Sequence, residues 1–326
     1  FYKRGKMMKI RTGQSILILF LSLLLLVSCT KMTQAPEKEI DTEQTALNVE
    51  NGVAENTEIT EEPEVEEEEE FIPEESQQIS EFPWDDDEEF KRAQMENDTD
   101  VLIAGFVTVS EDYSDDEKEN IRLAASMISG TVLQPGEVFS QNETAGPYTE
   151  DRGYLEGENY VGGQVVKDFG GGVCNVATTL YNTSIAADVE IVERHNHSMP
   201  VPYVPYGQDA AVAYGYKDFK FKNNTDHPLL IWTELVDNRL YMAFYGKEPG
   251  PEITWIHETV SETEATTVYK TNPELDEGVE NILVKGLDGK VVDTMLEVKY
   301  PDGEVELRDL GRSAYNPLNT LIETGE

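Results

Sequence analysis

Cysteine is nearly absent from this chain: 326 residues carry two, Cys29 and Cys174, alongside four histidines. Two cysteines with separate roles exclude a disulfide-stapled scaffold and leave few residues for thiol or metal chemistry. Basic residues are scarce as well. Lys and Arg total 25 against 65 Asp and Glu, a formal charge of −40, which excludes nucleic acid as a partner because its phosphates would be repelled. Most of the excess is local, since residues 31–100 hold 26 Asp and Glu against 4 Lys and Arg. Long apolar runs are missing too. The longest, Ile16 to Val27, has twelve residues, too few to span about 30 Å of hydrocarbon.

What is present falls into segments. Lys3, Arg4, Lys6, Lys9 and Arg11 precede the apolar run, the order of a secretory signal peptide, with Met7 or Met8 as its start. The run ends in Leu26-Val27-Ser28-Cys29, which resembles the lipobox of bacterial lipoproteins. That resemblance implies a lipid on Cys29, removal of the residues before it, and attachment to the membrane through an N-terminal lipid anchor. An ordinary cleaved peptide with a chance cysteine is the alternative. Residues 30–98 carry EEPEVEEEEEFIPEE and EFPWDDDEEF. Their self-repulsion and sparse apolar content predict a disordered acidic linker, or a charged arm with Phe71, Phe82 and Trp84 as anchors.

From residue 99 the pattern turns globular, and residues 99–258 read as one α+β, β-rich domain. Val101 to Val109 is rich in β-branched residues, and Ser114-Asp115-Asp116-Glu117 is a capping box ahead of a helix that stops at Gly130. Leu229 to Trp232 and Leu240 to Phe244 predict a hairpin across Asp237-Asn238. Between them lies GGGVCNVATTLYN, residues 170–182. Glycines there lead to Cys174 at the start of a predicted helix, whose unpaired N–H groups and partial positive charge favour a thiolate. The competing reading is a small buried side chain.

His195 and His197 close a predicted strand after that helix. A helix of about 20 Å followed by a returning strand of comparable length carries them back to the thiol's end. Cys174 beside an imidazole is the pairing that thiol chemistry needs. Surface histidines and a zinc site including Cys174 are the other readings of the same residues. Asp209 orients a histidine or caps a turn.

GGGVCNVATTLYN, VERHNHSMPVPYVPYGQDAAVAYG and DFKFKNNTDHPLLI together resemble the VanW family. The resemblance implies a bacterial envelope protein acting on peptidoglycan stem peptides, as a cysteine L,D-transpeptidase forming 3–3 cross-links. On it Cys174 is the nucleophile, His197 the leading base and His195 the second choice, with Arg194 and Asp209 in support. Backbone around Gly172, Val173 and Asn175 would hold the oxyanion. The family has glutamine after the cysteine where this chain has Asn175, and serine where it has Ala177. No cofactor is implied. A non-catalytic wall-binding or scaffold protein, with Cys174 packing, is the rival function. Residues 268–326, with Asp-Gly turns and Tyr315-Asn316-Pro317, faintly resemble a G5 domain; a hairpin extension of the main domain is the alternative.

Overall fold

The computed structural model describes residues 75–110, 113–161 and 164–325. The expected signal peptide of residues 1–29 with its Cys29, and most of the expected acidic linker, lie outside the described residues. The elements run β1 (Gln77–Gln78), α1 (Glu88–Asn97), β2 (Val101–Val109), α2 (Asp115–Ile128), β3 (Val132–Leu133), β4 (Val138–Ser140) and α3 (Gln141–Ala145). There follow β5 (Glu156–Val161), β6 (Gln164–Phe169), α4 (Val173–Ala186), β7 (Glu190–Glu193), β8 (Lys220–Lys222), β9 (Leu229–Val236) and β10 (Arg239–Gly246). The C-terminal part is all strand: β11 (Glu252–Thr263), β12 (Thr267–Thr271), β13 (Glu280–Val284), β14 (Gly289–Lys299), β15 (Val305–Ala314) and β16 (Thr320–Thr324). Among the described residues no helix is long and apolar enough to cross a membrane.

The central sheet has the order β1-β2-β10-β9-β3. Strand β10 is apolar almost throughout because both its faces are covered. Leu240, Met242 and Phe244 enter the core shared with α2 and α4, while Tyr241, Ala243 and Tyr245 pack with Phe82, Trp84 and Phe90. This corrects the expectation of a disordered linker to residue 98. Residues 75–98 fold onto the sheet, Trp84 is 2% exposed, and its indole donates to the Tyr245 hydroxyl at 3.0 Å. Asp87 caps α1 through the amides of Glu89 and Phe90. Three aromatic side chains that seal a sheet face outweigh a charge run that stays in water.

The capping box forms as its spacing predicts, with Ser114 and Glu117 satisfying each other's backbone amides at the start of α2. The β9–β10 hairpin turns at Asp237, whose φ is 54°. The chain turns at Pro135-Gly136 between β3 and β4; β3 joins β9 and β4 joins β8, so the two short strands belong to different sheets.

The C-terminal strands make two further sheets, β11-β14-β15 and β12-β16-β13. Strand β11 pairs with β14 along its whole length, from Glu252↔Lys299 to Thr263↔Gly289. The second module therefore begins at Glu252, where the sequence pattern ends the first domain at 258 and begins the module at 268. It is also joined to the first module's core, since Leu296 and Val298 are fully buried in the cluster that holds Val176, Leu180 and Phe219.

Candidate active site

The site is organised by one stripe of α4. Cys174, Thr178 and Asn182 are spaced by four, so they stand above one another on one helix face. Each bonds to one residue of an extended segment running the opposite way. The Asn182 amide donates to the Gln208 carbonyl at 2.8 Å. The Thr178 hydroxyl accepts from the Ala210 amide at 3.0 Å and donates to the Ala210 carbonyl at 3.2 Å. The Cys174 Sγ lies 3.5 Å from both the amide and the carbonyl of Val212. Four helical residues rise about 6 Å and two extended residues span about 6.6 Å, so the two periods match and the segment lies along the helix in register. That register carries Asp209 between the Thr178 and Asn182 contacts.

The helix starts at Gly172, whose φ of 94° suits glycine alone. The amide of Val173 donates to the Gly170 carbonyl at 3.2 Å and that of Asn175 to the Gly172 carbonyl at 2.9 Å. Two of the backbone groups expected around an oxyanion are thus engaged locally. The Cys174 amide, at the second helical position, has no acceptor among the described residues. The Asn175 side chain is buried and accepts from the Thr108 hydroxyl at 2.8 Å, which ties the helix start to β2.

After β7 the chain runs beside residues 209–211, and the Ala211 amide donates to the His195 carbonyl at 2.7 Å. His197 faces Asp209 twice, through its amide and through Nδ1, each 2.7 Å from Oδ2. Its ring is also the electrostatic partner of Cys174. Arg194 bonds the other carboxylate oxygen at 3.0 Å and the carbonyls of Gly207 and Asp209. His195 points elsewhere. Its Nε2 lies 3.0 Å from Glu193, which in turn pairs with Lys220. Cys174, His197, Asp209 and Arg194 therefore come together, and His195 stands apart.

The electrostatics follow from that geometry. Burial pushes the Cys174 thiol up, but the His197 hydrogen bond and charge, the Val212 amide and Lys217 outweigh it and leave the thiol below its ordinary value. Burial alone would lower His197, yet hydrogen bonds to Asp209 and Cys174 raise it to about 9. Burial disfavours the Asp209 anion, and His197 and Arg194 hold it low nonetheless. Shifts in these directions favour a thiolate and an imidazolium backed by a carboxylate.

Two partners were not legible in the sequence. Val212 carries no chemical signal and is found only through the stripe's register. Tyr315, in the C-terminal module, donates to Asp209 Oδ1 at 2.5 Å. It was visible only as part of a module signature.

Fold and site define a two-module, β-rich protein whose first module holds a thiol–imidazole–carboxylate cluster at a helix start. Residues 116–245 match the family described as VanW like protein, and residues 256–326 match the G5 domain. The chain thus carries a VanW-family domain followed by a G5 domain, and the VanW family is associated with the cell wall. It is 35% identical over 146 residues to the protein called "Uncharacterized protein YoaR" of Bacillus subtilis (strain 168), covering 45% of this chain and 48% of that one. It is 29% identical over 143 residues to the vancomycin B-type resistance protein VanW of Enterococcus faecalis (strain ATCC 700802 / V583), covering 42% and 52%. The chain thus spans about half the length of these relatives. Among solved structures, the IgA1 protease G5 domain aligns at 24% identity with a TM-score of 0.16, over 24% of this chain and 95% of that one. The HP0197 G5 domain aligns at 19% with a TM-score of 0.14, over 23% and 99%.

Proposed function

We propose that this protein is an extracytoplasmic cysteine L,D-transpeptidase acting on peptidoglycan stem peptides and held at the membrane by a lipid on Cys29. The observation that carries the reading is the His197 Nδ1 to Asp209 Oδ2 contact at 2.7 Å, with the same ring as the electrostatic partner of Cys174 at the N-terminus of α4. His197 takes the thiol proton, and the thiolate attacks the carbonyl of an L-residue joined to a terminal D-amino acid. The Cys174 amide, with the helix dipole behind it, faces the oxyanion of the tetrahedral intermediate. Collapse breaks the amide bond, His197 returns its proton to the leaving D-amino acid, and a thioester remains. A second stem-peptide amine, deprotonated by His197, displaces the thiol and leaves a 3–3 cross-link; water in its place leaves a shortened peptide. The VanW and G5 matches support a wall-facing location.

A second reading has one observation in its favour. Cys174 completes the stripe that fastens residues 208–212 to α4, so the thiol has a packing role without chemistry, as in a wall-binding scaffold. Incubation of the purified protein with disaccharide tetrapeptide separates the two. A thioester mass adduct and 3–3 dimers, both lost in Cys174→Ala, establish the enzyme. Wall binding without turnover, unchanged in that variant, leaves the scaffold.

A further inference from the structure

The carboxylate behind His197 is gripped from the C-terminal module. Three consecutive residues, Gly207, Gln208 and Asp209, each meet it. The Gly207 amide donates to the Tyr315 hydroxyl at 2.8 Å, and that hydroxyl donates onward to Asp209 Oδ1 at 2.5 Å. The Gln208 side chain lies 3.0 Å from His257 Nε2 on β11. Arg194, the other partner of Oδ1, is itself held by the Ser313 hydroxyl of β15 at 2.9 Å. The Asn316 backbone amide donates to the Ser198 carbonyl, and the Asn196 side-chain amide donates to the Ala314 carbonyl at 3.0 Å, fixing the same strand end beside residues 196–198. Tyr315 is 5% exposed, and burial together with the Asp209 charge raises its hydroxyl further above its ordinary value, so it remains a donor.

We propose that the site is completed across two modules, with Tyr315 of the C-terminal module as the positioning residue for the Asp209 carboxylate. This rests on the thiol-chemistry reading above. Asp209 accepts on Oδ2 from His197 and on Oδ1 from Arg194 and Tyr315. Those donors leave the carboxylate one orientation, the one that presents Oδ2 to the imidazole. Without the hydroxyl, Oδ1 retains only Arg194 and the Gly207 amide loses its acceptor. The carboxylate then turns more freely, His197 is held less firmly as a cation, and the thiolate loses its counter-charge. The charged and titratable groups facing this pair are Arg194 and Tyr315 at Asp209, and Lys217, Tyr113, Tyr148 and Tyr203 around Cys174.

The test is the pH profile of Cys174 alkylation by iodoacetamide in the full chain, compared with Tyr315→Phe, Ser313→Ala and Val292→Ala. Val292 is buried on β14 of the same module and sets the effect of lost stability alone. Tyr315→Phe is expected to move the midpoint up by about half a unit to one unit, which lowers the rate at pH 6.5 roughly three- to tenfold. Ser313→Ala, acting through Arg194, moves it the same way by less, and Val292→Ala leaves it in place. A Tyr315→Phe profile that superimposes on a depressed wild-type profile overturns the positioning role and leaves the thiol reading standing. A downward shift also overturns it, since it would mean that the hydroxyl only drains charge from the carboxylate. If Tyr315→Phe does not fold, an unmoved Ser313→Ala profile overturns it. A wild-type profile of an ordinary thiol overturns both readings.

Discussion

Gly172→Ala tests the connection between the helix start and the helix behind it. Gly172 sits at φ +94°, and a Cβ there would lie 3.0 Å from the Glu117 carbonyl oxygen and 3.1 and 3.2 Å from two Ile121 side-chain carbons. Two costs follow. Holding an L-residue at positive φ costs about 1–2 kcal/mol. The contacts add roughly 1–2 kcal/mol, because Ile121 is 1% exposed and carbonyl and side chain belong to α2, which must shift by a few tenths of an ångström. A second glycine separates the two. Gly136 has φ +83°, and a Cβ added to it would meet nothing within 4 Å, so Gly136→Ala carries the backbone cost alone. Urea unfolding at constant m should place Gly172→Ala about 2–4 kcal/mol and Gly136→Ala about 1–2 kcal/mol below wild type. Equal losses in the two variants would refute the account of Gly172 as a contact point between α2 and α4.

Further outcomes are expected from the site and from the sheet's outer face. Wild-type Cys174 should alkylate at lower pH than an ordinary thiol, because its own thiol lies below the ordinary value, and His197→Ala should return the midpoint toward about 8.5. His197 is raised to about 9, so the stability it contributes is fully present below about 6.5, its unfolded value, and is lost as pH rises through about 9; urea midpoints that do not decline between pH 7 and 10 would contradict this. Trp84→Ala should cost about 3–5 kcal/mol in thermal or urea unfolding, since the ring is 2% exposed against the sheet, whereas a solvated tether would show no change. Thr108→Val should cost about 1–3 kcal/mol by stranding the buried Asn175 carbonyl oxygen that its hydroxyl now serves at 2.8 Å, with the alkylation midpoint of Cys174 little altered.

Local signals were the legible ones. Ser114 and Glu117 satisfy each other within four residues, so the start of α2 could be read directly, and the β9–β10 hairpin turns where Asp237-Asn238 interrupts two apolar runs. The meeting of Cys174 with His197 was accessible through helix and strand rise, although reach alone does not distinguish His195 from His197. The distinction comes from Asp209 and Glu193, each of which takes one of the two rings. Residues 75–98 look like linker because charge averaged over seventy residues submerges Phe82, Trp84 and Phe90. Only the second face of β10, apolar in Tyr241, Ala243 and Tyr245, demands that cover. Tyr315 lies 106 positions from Asp209, and no pattern along the chain reports a bond over that separation.

The stripe on α4 also explains how one cysteine can belong to both readings of the site. Thr178 and Asn182 hold residues 208–210 in either protonation state, because their groups do not titrate in this range. Cys174 differs. As a thiol it can donate to the Val212 carbonyl, and as a thiolate it can only accept from the Val212 amide, each at 3.5 Å. A residue kept only for packing has no use for the second state. The neighbours here favour that state nonetheless: the His197 charge, the Val212 amide and Lys217 all lower the thiol, and the helix start adds its partial positive charge. Packing fixes where the sulfur sits, and the surrounding groups favour the form of it that can act as a nucleophile.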